Sequence, residues 1–279
     1  MRSLKISAFA DEYADSFEEQ LTALNEFEIE NIEIRFLNGK NISVLKRNEA
    51  TEAKKKLDAF GINVSAIGSP IGKIQLDGDI NDHLETAKRI FESANIFDTR
   101  YIRVFSFYAP NGKDIADMKS EVLYYLEKFV VLAREYGITL CHENEAKIYG
   151  DTPNRCKELL NHFSGELKCV FDMGNFVLEG AEPYTAYELL KEDIAYFHIK
   201  DALSQGAIVP AGKGEAKIKE ILSAHREYVK EDFFVSLEPH LQTFSGLNAL
   251  VGRTFDNPYK YADQKAAFTD AVIKFKELI

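Results

Sequence analysis

Short runs of β-branched and aromatic residues recur along the chain, and each is followed by a stretch whose apolar residues fall at helical spacing. The strand-like runs are LKISAFA (4–10), NIEIRF (31–36), NVSAIGS (63–69), YIRVFSF (101–107), TLCHENE (139–145), KCVFDMG (168–174), AYFHIKD (195–201) and FFVSLEPH (233–240). The stretches between them put Phe17, Leu21 and Leu24 on one helical face and Leu84, Ile90 and Phe91 on another. A third face carries Val122, Leu126, Phe129 and Leu132 and stops at Gly137. The least defined helix follows KCVFDMG, around AEPYTAYELL, and the last runs from about Lys260 to Ile279.

Strands set between helices pair in parallel through right-handed crossovers. Eight such units, with no low-complexity linker dividing residues 1–279, predict a single α/β domain, a (β/α)8 TIM barrel. The competing doubly wound sheet wants a glycine-rich first turn, and here that turn reads ADEYADS.

In a barrel, chemistry sits at the C-terminal ends of the strands. Those ends offer Asp11 and Glu12, Glu33 and Arg35, Arg103, then His142, Glu143 and Glu145, then Asp172, His198, and Glu238 with His240. Alternation along each strand sorts them. Leu140 and His142 share the helix-facing side of TLCHENE, which leaves Glu143 inward with Cys141. Asp172 lies opposite Phe171, His198 opposite Phe197 and Ile199, and Glu238 opposite Leu237. Four successive strands thus point Glu143, Asp172, His198 and Glu238 at one place. Three carboxylates crowded together would raise one another's pKa values. A divalent metal ion (Mn, Zn, Mg or Co) resolves the conflict and suits a mostly oxygen ligand set.

Charge and cysteine content narrow the partners. With 45 acidic and 34 basic residues the formal net charge is −11, which argues against nucleic acid as a general ligand. Three cysteines, Cys141, Cys156 and Cys169, form no C-x-x-C pair, which fits a reducing cytoplasm. The apolar start is cut short by Asp11 and Glu12, so no signal peptide is expected. No run reaches the roughly 18 to 20 apolar residues of a membrane span.

The pieces LCHENE, FDMGN, YFHIKD with the later GKGE, and VSLEPH resemble the sugar phosphate isomerase/epimerase group of the xylose isomerase-like TIM barrel superfamily. That group is related to tagatose epimerases and to the endonuclease IV fold. The resemblance runs from SAFADE to the last strand. It implies metal ligation by Glu143, Asp172, His198 and Glu238, with Glu143 and Glu238 also moving a proton. Four positions depart from the family pattern. Glu145 and Asn175 stand where histidines are common. Tyr149 stands where ketose epimerases keep a further glutamate, and DALSQG lacks their arginine. The DNA-repair branch needs a larger zinc cluster with extra histidines. Here His83, His162 and His225 fall in or beside predicted helices and read as surface residues.

The expected activity is a divalent-metal-dependent isomerase or epimerase acting on a small sugar or sugar derivative through an enediolate. A metal-dependent dehydratase or lyase on a keto-polyol, as in inositol breakdown, and a non-catalytic metal- or sugar-binding barrel remain open beside it. Candidate substrate contacts are Glu145, Asn175, Lys200, Arg103 and His240. Glu33 reads equally as a partner for Arg35, Lys213 as a phosphate contact, and Phe105, Phe107 and Tyr108 as a stacking surface or as packing. The stretch 241–259 is long for a barrel connection and reads as a cover over the mouth or a subunit contact, which leaves a homo-oligomer open.

Overall fold

The computed structural model of the protein describes residues 3–241 and 258–279. The eight expected runs form β1 (Leu4–Ala8), β2 (Asn31–Ile34), β3 (Asn63–Gly68), β4 (Tyr101–Val104), β5 (Thr139–Glu143), β6 (Leu167–Asp172), β7 (Ile194–Ile199) and β8 (Phe233–Leu237). They make one sheet in the order β1-β8-β7-β6-β5-β4-β3-β2, every pair parallel. The sheet curls into a nearly closed barrel. At its seam the Asn31 side chain donates across to the Ile6 carbonyl at 3.2 Å, a side-chain bond where the ladder stops.

The helices are α1 (Phe17–Glu26), α2 (Arg47–Phe60), α3 (Ile80–Ile96), α4 (Lys119–Glu135), α5 (Pro153–Phe163), α6 (Met173–Leu178), α7 (Pro183–Leu190), α8 (Ile218–Tyr228) and α9 (Gln264–Leu278). Their starts carry the expected chemistry. Asp79 caps α3, Thr152 caps α5 ahead of Pro153, and Asp263 caps α9, each accepting a backbone N–H of the first turn. The ill-defined stretch after β6 resolves into two short helices. α6 starts directly on the end of β6, and α7 is capped by Glu182.

Two of the three buried apolar clusters among the described residues lie on the two faces of the barrel wall. The larger lies between strands and helices and takes Phe17, Leu21, Leu24, Ile90, Phe91, Val122, Leu126 and Phe129 from the predicted helical faces. The smaller fills the lower barrel interior with Ala66, Cys141, Val170 and Tyr196, closed by Tyr101 and Phe234. The rings of Tyr196 and Phe234 stack at 4.6 Å. All three cysteines are buried and unpaired, and burial pushes each thiol pKa upward.

His225 departs from expectation. It is buried rather than superficial, because Ile218, Ile221, Leu222 and His225 form the inward stripe of α8. Its ring meets Phe197 and Phe233 edge-on, and burial lowers its pKa to about 4. Most of the long 241–259 stretch lies outside the described residues. Among the described residues, no helix is long and apolar enough to cross a membrane.

Candidate metal centre

Alternation along β5 puts His142 on the helix side. There its Nε2 pairs with Ser106 Oγ at 2.9 Å, and Gly150 packs so closely that an added Cβ would fall 2.2 Å from the imidazole. Glu143 turns the other way, into the barrel. Asp172 ends β6 and caps α6, its Oδ1 accepting from Asn175 N at 2.8 Å. His198 and Lys200 project inward from the end of β7, and Glu238 follows β8. Glu143, Asp172, His198 and Glu238 are all buried. Each offers a ligand atom, and these atoms lie within 4.8 Å of one another, so the group could hold a metal ion.

The strand ends β5 and β6 are tied together by Asn144, whose side-chain oxygen accepts from Asp172 N at 3.0 Å while its amide donates to the Asp172 carbonyl at 2.9 Å. Nothing in the residue type marked Asn144 for this task. The loop after β7 is organised by Asp201, whose carboxylate accepts the backbone N–H groups of Ala202, Gly212, Gly214 and Ala216. Lys213 rides on that loop, exposed to solvent.

The imidazole of His198 is held from both sides. Nδ1 faces Glu143 Oε1 at 2.9 Å, and Nε2 faces Glu33 Oε2 at 3.0 Å. Glu33 in turn accepts from Tyr196 Oη at 2.9 Å. Glu33 thus pairs with His198 and Tyr196, while ion pairs of Arg35 run to Asp11, Glu12 and Glu238. It backs the histidine, as carboxylates commonly do behind metal-binding imidazoles. Its inward parity, shared with Arg35 on the far side of Ile34, was readable. Its partner lies 165 positions away.

A ring of counter-charges surrounds the four residues. Arg35 reaches Asp11 (2.9 Å), Glu12 (3.3 Å) and Glu238 (2.9 Å). Arg103 Nη1 stands between Glu143 Oε2 (3.1 Å) and Glu238 Oε1 (3.4 Å). Lys200 Nζ donates to Asp172 Oδ2 at 2.8 Å, Glu238 Oε2 at 2.9 Å and Asn175 Oδ1 at 3.2 Å. His240 is buried. Its backbone N–H donates to Glu12 at 2.8 Å, and its Nε2 lies 3.6 Å from Glu238. Glu145 sits further out, half-buried, 3.4 Å from Lys73, whose ammonium lies over the Phe105 ring. Phe107 turns away to pack on Tyr125 and Phe129.

Burial and charge set the protonation states. Burial pushes Asp172 up to about 7 despite Lys200, and Glu12 up to about 8 despite Arg35. Burial also opposes ionisation of Glu143, but His198 and Arg103 outweigh it and hold the carboxyl at about 2. His198 is driven the other way, well above the ordinary histidine range, because Glu33 and Glu143 overcome the cost of burying its charge. Burial works against the Lys200 ammonium too, and Asp172 and Glu238 overcome it.

The donor set fits a divalent ion. The three carboxylates and one imidazole offer ligand atoms within 4.8 Å of one another, a mostly oxygen set of the kind divalent ions take. Glu143 Oε2 is buried and accepts no well-aligned hydrogen bond, with the Arg103 guanidinium 3.1 Å away as its counter-charge.

Residues 21–263 match the model of the xylose isomerase-like TIM barrel family, and the chain belongs to that family. No curated protein matches the sequence. Among solved structures, the chain is similar to a D-psicose 3-epimerase from Clostridium cellulolyticum H10, determined with D-tagatose. The TM-score is 0.76 at 13% identity, over 99% of this chain and 98% of that one. An IolI protein with a bound zinc atom gives a TM-score of 0.74 at 16% identity, over 99% and 98%. A probable 3-DHS dehydratase, AsbF, of petrobactin synthesis in Bacillus anthracis gives 0.72 at 20% identity, over 88% and 94%. At these identities the likeness shows the fold.

Proposed function

We propose that this chain is an isomerase or epimerase of a small sugar or sugar derivative, using a divalent ion held by Glu143, Asp172, His198 and Glu238. The observation that carries the reading is the placement of Glu143 and Glu238 on either side of Arg103 Nη1, both buried and both favoured in the ionised form. The chemistry a divalent ion supplies from such a cradle is polarisation of a sugar carbonyl and its neighbouring hydroxyl. One glutamate takes the proton from the carbon between them, leaving an enediolate, and the other returns it. Return at the opposite face inverts the centre, and return at the adjacent carbon exchanges aldose and ketose. Arg103 stands within reach of the charge that develops on oxygen. Glu33, through His198, fixes the ring that faces Glu143. Glu145 and Lys73 meet the outer hydroxyls.

Epimerase, dehydratase and IolI barrels among the similar structures support a carbohydrate-sized substrate. Lys200 favours dehydration as a second reading, since its ammonium lies among Asp172, Asn175 and Glu238, where it can protonate a departing hydroxyl.

A panel of sugars, sugar phosphates and keto-polyols incubated with Mn2+ in D2O tests the proposal. Deuterium entering the carbon beside the carbonyl, with no loss of water, marks the isomerase or epimerase, and loss of water marks the dehydratase. On the substrate so found, Glu143→Gln and Glu238→Gln each lower turnover by about 10²-fold or more. Full turnover by both variants would sink the reading.

A further inference from the structure

Lys200 occupies ground that a metal ion would share. Its ammonium makes charge-assisted hydrogen bonds to Asp172 and Glu238, two of the four candidate ligands. Metal–oxygen bonds are shorter, roughly 2.0–2.2 Å for Zn2+. A divalent ion bound there and an ammonium donating to the same two carboxylates would stand close together in a region that water does not screen. The space for the lysine is built into the fold. A Cβ on Gly174 would lie 2.8 Å from Lys200 Cγ, so glycine at the start of α6 leaves room for the stem. Asn175 then offers its Oδ1 at 3.2 Å, a neutral acceptor beside the cradle. It is also one of the positions where the chain departs from the histidine common in the family.

The geometry points to Lys200 as a resident cation that competes with the metal. The ammonium holds Asp172 and Glu238, and a divalent ion enters as Lys200 shifts toward Asn175. Four rotatable bonds and a point charge suit a side chain to that movement, where a planar guanidinium would not follow it. The affinity for metal is thereby set lower than the four ligands would give by themselves. This inference rests on the metal-cradle reading above.

The test titrates chelator-stripped full-length protein with Mn2+, following free Mn2+ by electron paramagnetic resonance and melting temperature in parallel. The proteins are wild type, Lys200→Met, Lys200→Gln and, as a control for lost surface charge, Lys219→Met. The expected result is one Mn2+ site in each, with both Lys200 variants binding at least tenfold more tightly and Lys219→Met unchanged. The Lys200 variants also melt lower than wild type when stripped and gain more from saturating Mn2+. Equal or weaker binding by both Lys200 variants, beside a wild type that binds, overturns the competition and leaves the cradle standing. An equal gain in Lys219→Met overturns it too, assigning the effect to net charge. An absence of Mn2+ binding in all four overturns the cradle and the competition together.

Discussion

The lower and upper halves of the barrel interior are lined by the same strands, one inward step apart, and are chemically opposite. Cys141 is two residues before Glu143, Val170 two before Asp172, Tyr196 two before His198, and Tyr101 two before Arg103. The lower set packs as an apolar plug. The upper set is a network of buried charges in which each carboxylate has a cation or imidazole close by. A buried charge is tolerable only where its partners are also supplied. The step of two residues therefore separates a region that can accept ionised groups from one that cannot.

The sharpest way to break this contrast is Val170→Asp, which moves a carboxylate one step down. We expect a loss of about 5 kcal/mol or more, enough to abolish the folded state, as read by circular dichroism. A well-folded, stable variant would show that the lower half is as permissive as the upper. Next is Arg35→Met, which leaves Asp11, Glu12 and Glu238 without their shared cation. Chemical denaturation should show a loss of about 3–5 kcal/mol, and a loss under 1 kcal/mol would mean that the ring is neutralised by other means.

His225 extends the comparison to the apolar layer outside the barrel. Its folded pKa of about 4 lies below the unfolded value, so the unfolded chain binds the extra proton as pH falls. Stability is therefore unaffected by this group above about pH 6.5 and is lost progressively down to about pH 4, by up to about 3 kcal/mol. His225→Phe should flatten that part of the stability curve, and an unchanged slope between pH 6.5 and 4 would assign the acid sensitivity elsewhere. The smallest expected effect is at the boundary itself. Tyr196→Phe removes the hydroxyl bonded to the Glu33 carboxylate and should cost about 1.5–2 kcal/mol. A loss of more than about 3 kcal/mol would show that the phenol holds the charged layer together.

Much of this was legible in the sequence because strand alternation is local. It separates Glu143 from His142 and aligns Asp172, His198 and Glu238 from the residue order alone. The ion partners were harder to read, since they join residues remote in the chain, as Arg35 joins Glu238 across 203 positions. Parity turned Glu33 and Arg35 the same way without saying that one would back His198 and the other would bind three acids. His225 was misplaced for a different reason. A polar residue type hides the fact that His225 completes the helical stripe of Ile218, Ile221 and Leu222.

The burial of all three cysteines has a practical consequence. A thiol reacts as its thiolate, and here Cys141, Cys156 and Cys169 are both shielded and pushed toward the protonated form. The natural chain thus carries its own stopwatch. Because the three thiols sit on β5, α5 and β6, the pace at which an alkylating reagent consumes them times how often that side of the barrel comes apart. The same silence leaves a single cysteine introduced on the surface as the one site that a dye or spin label would find in the folded molecule.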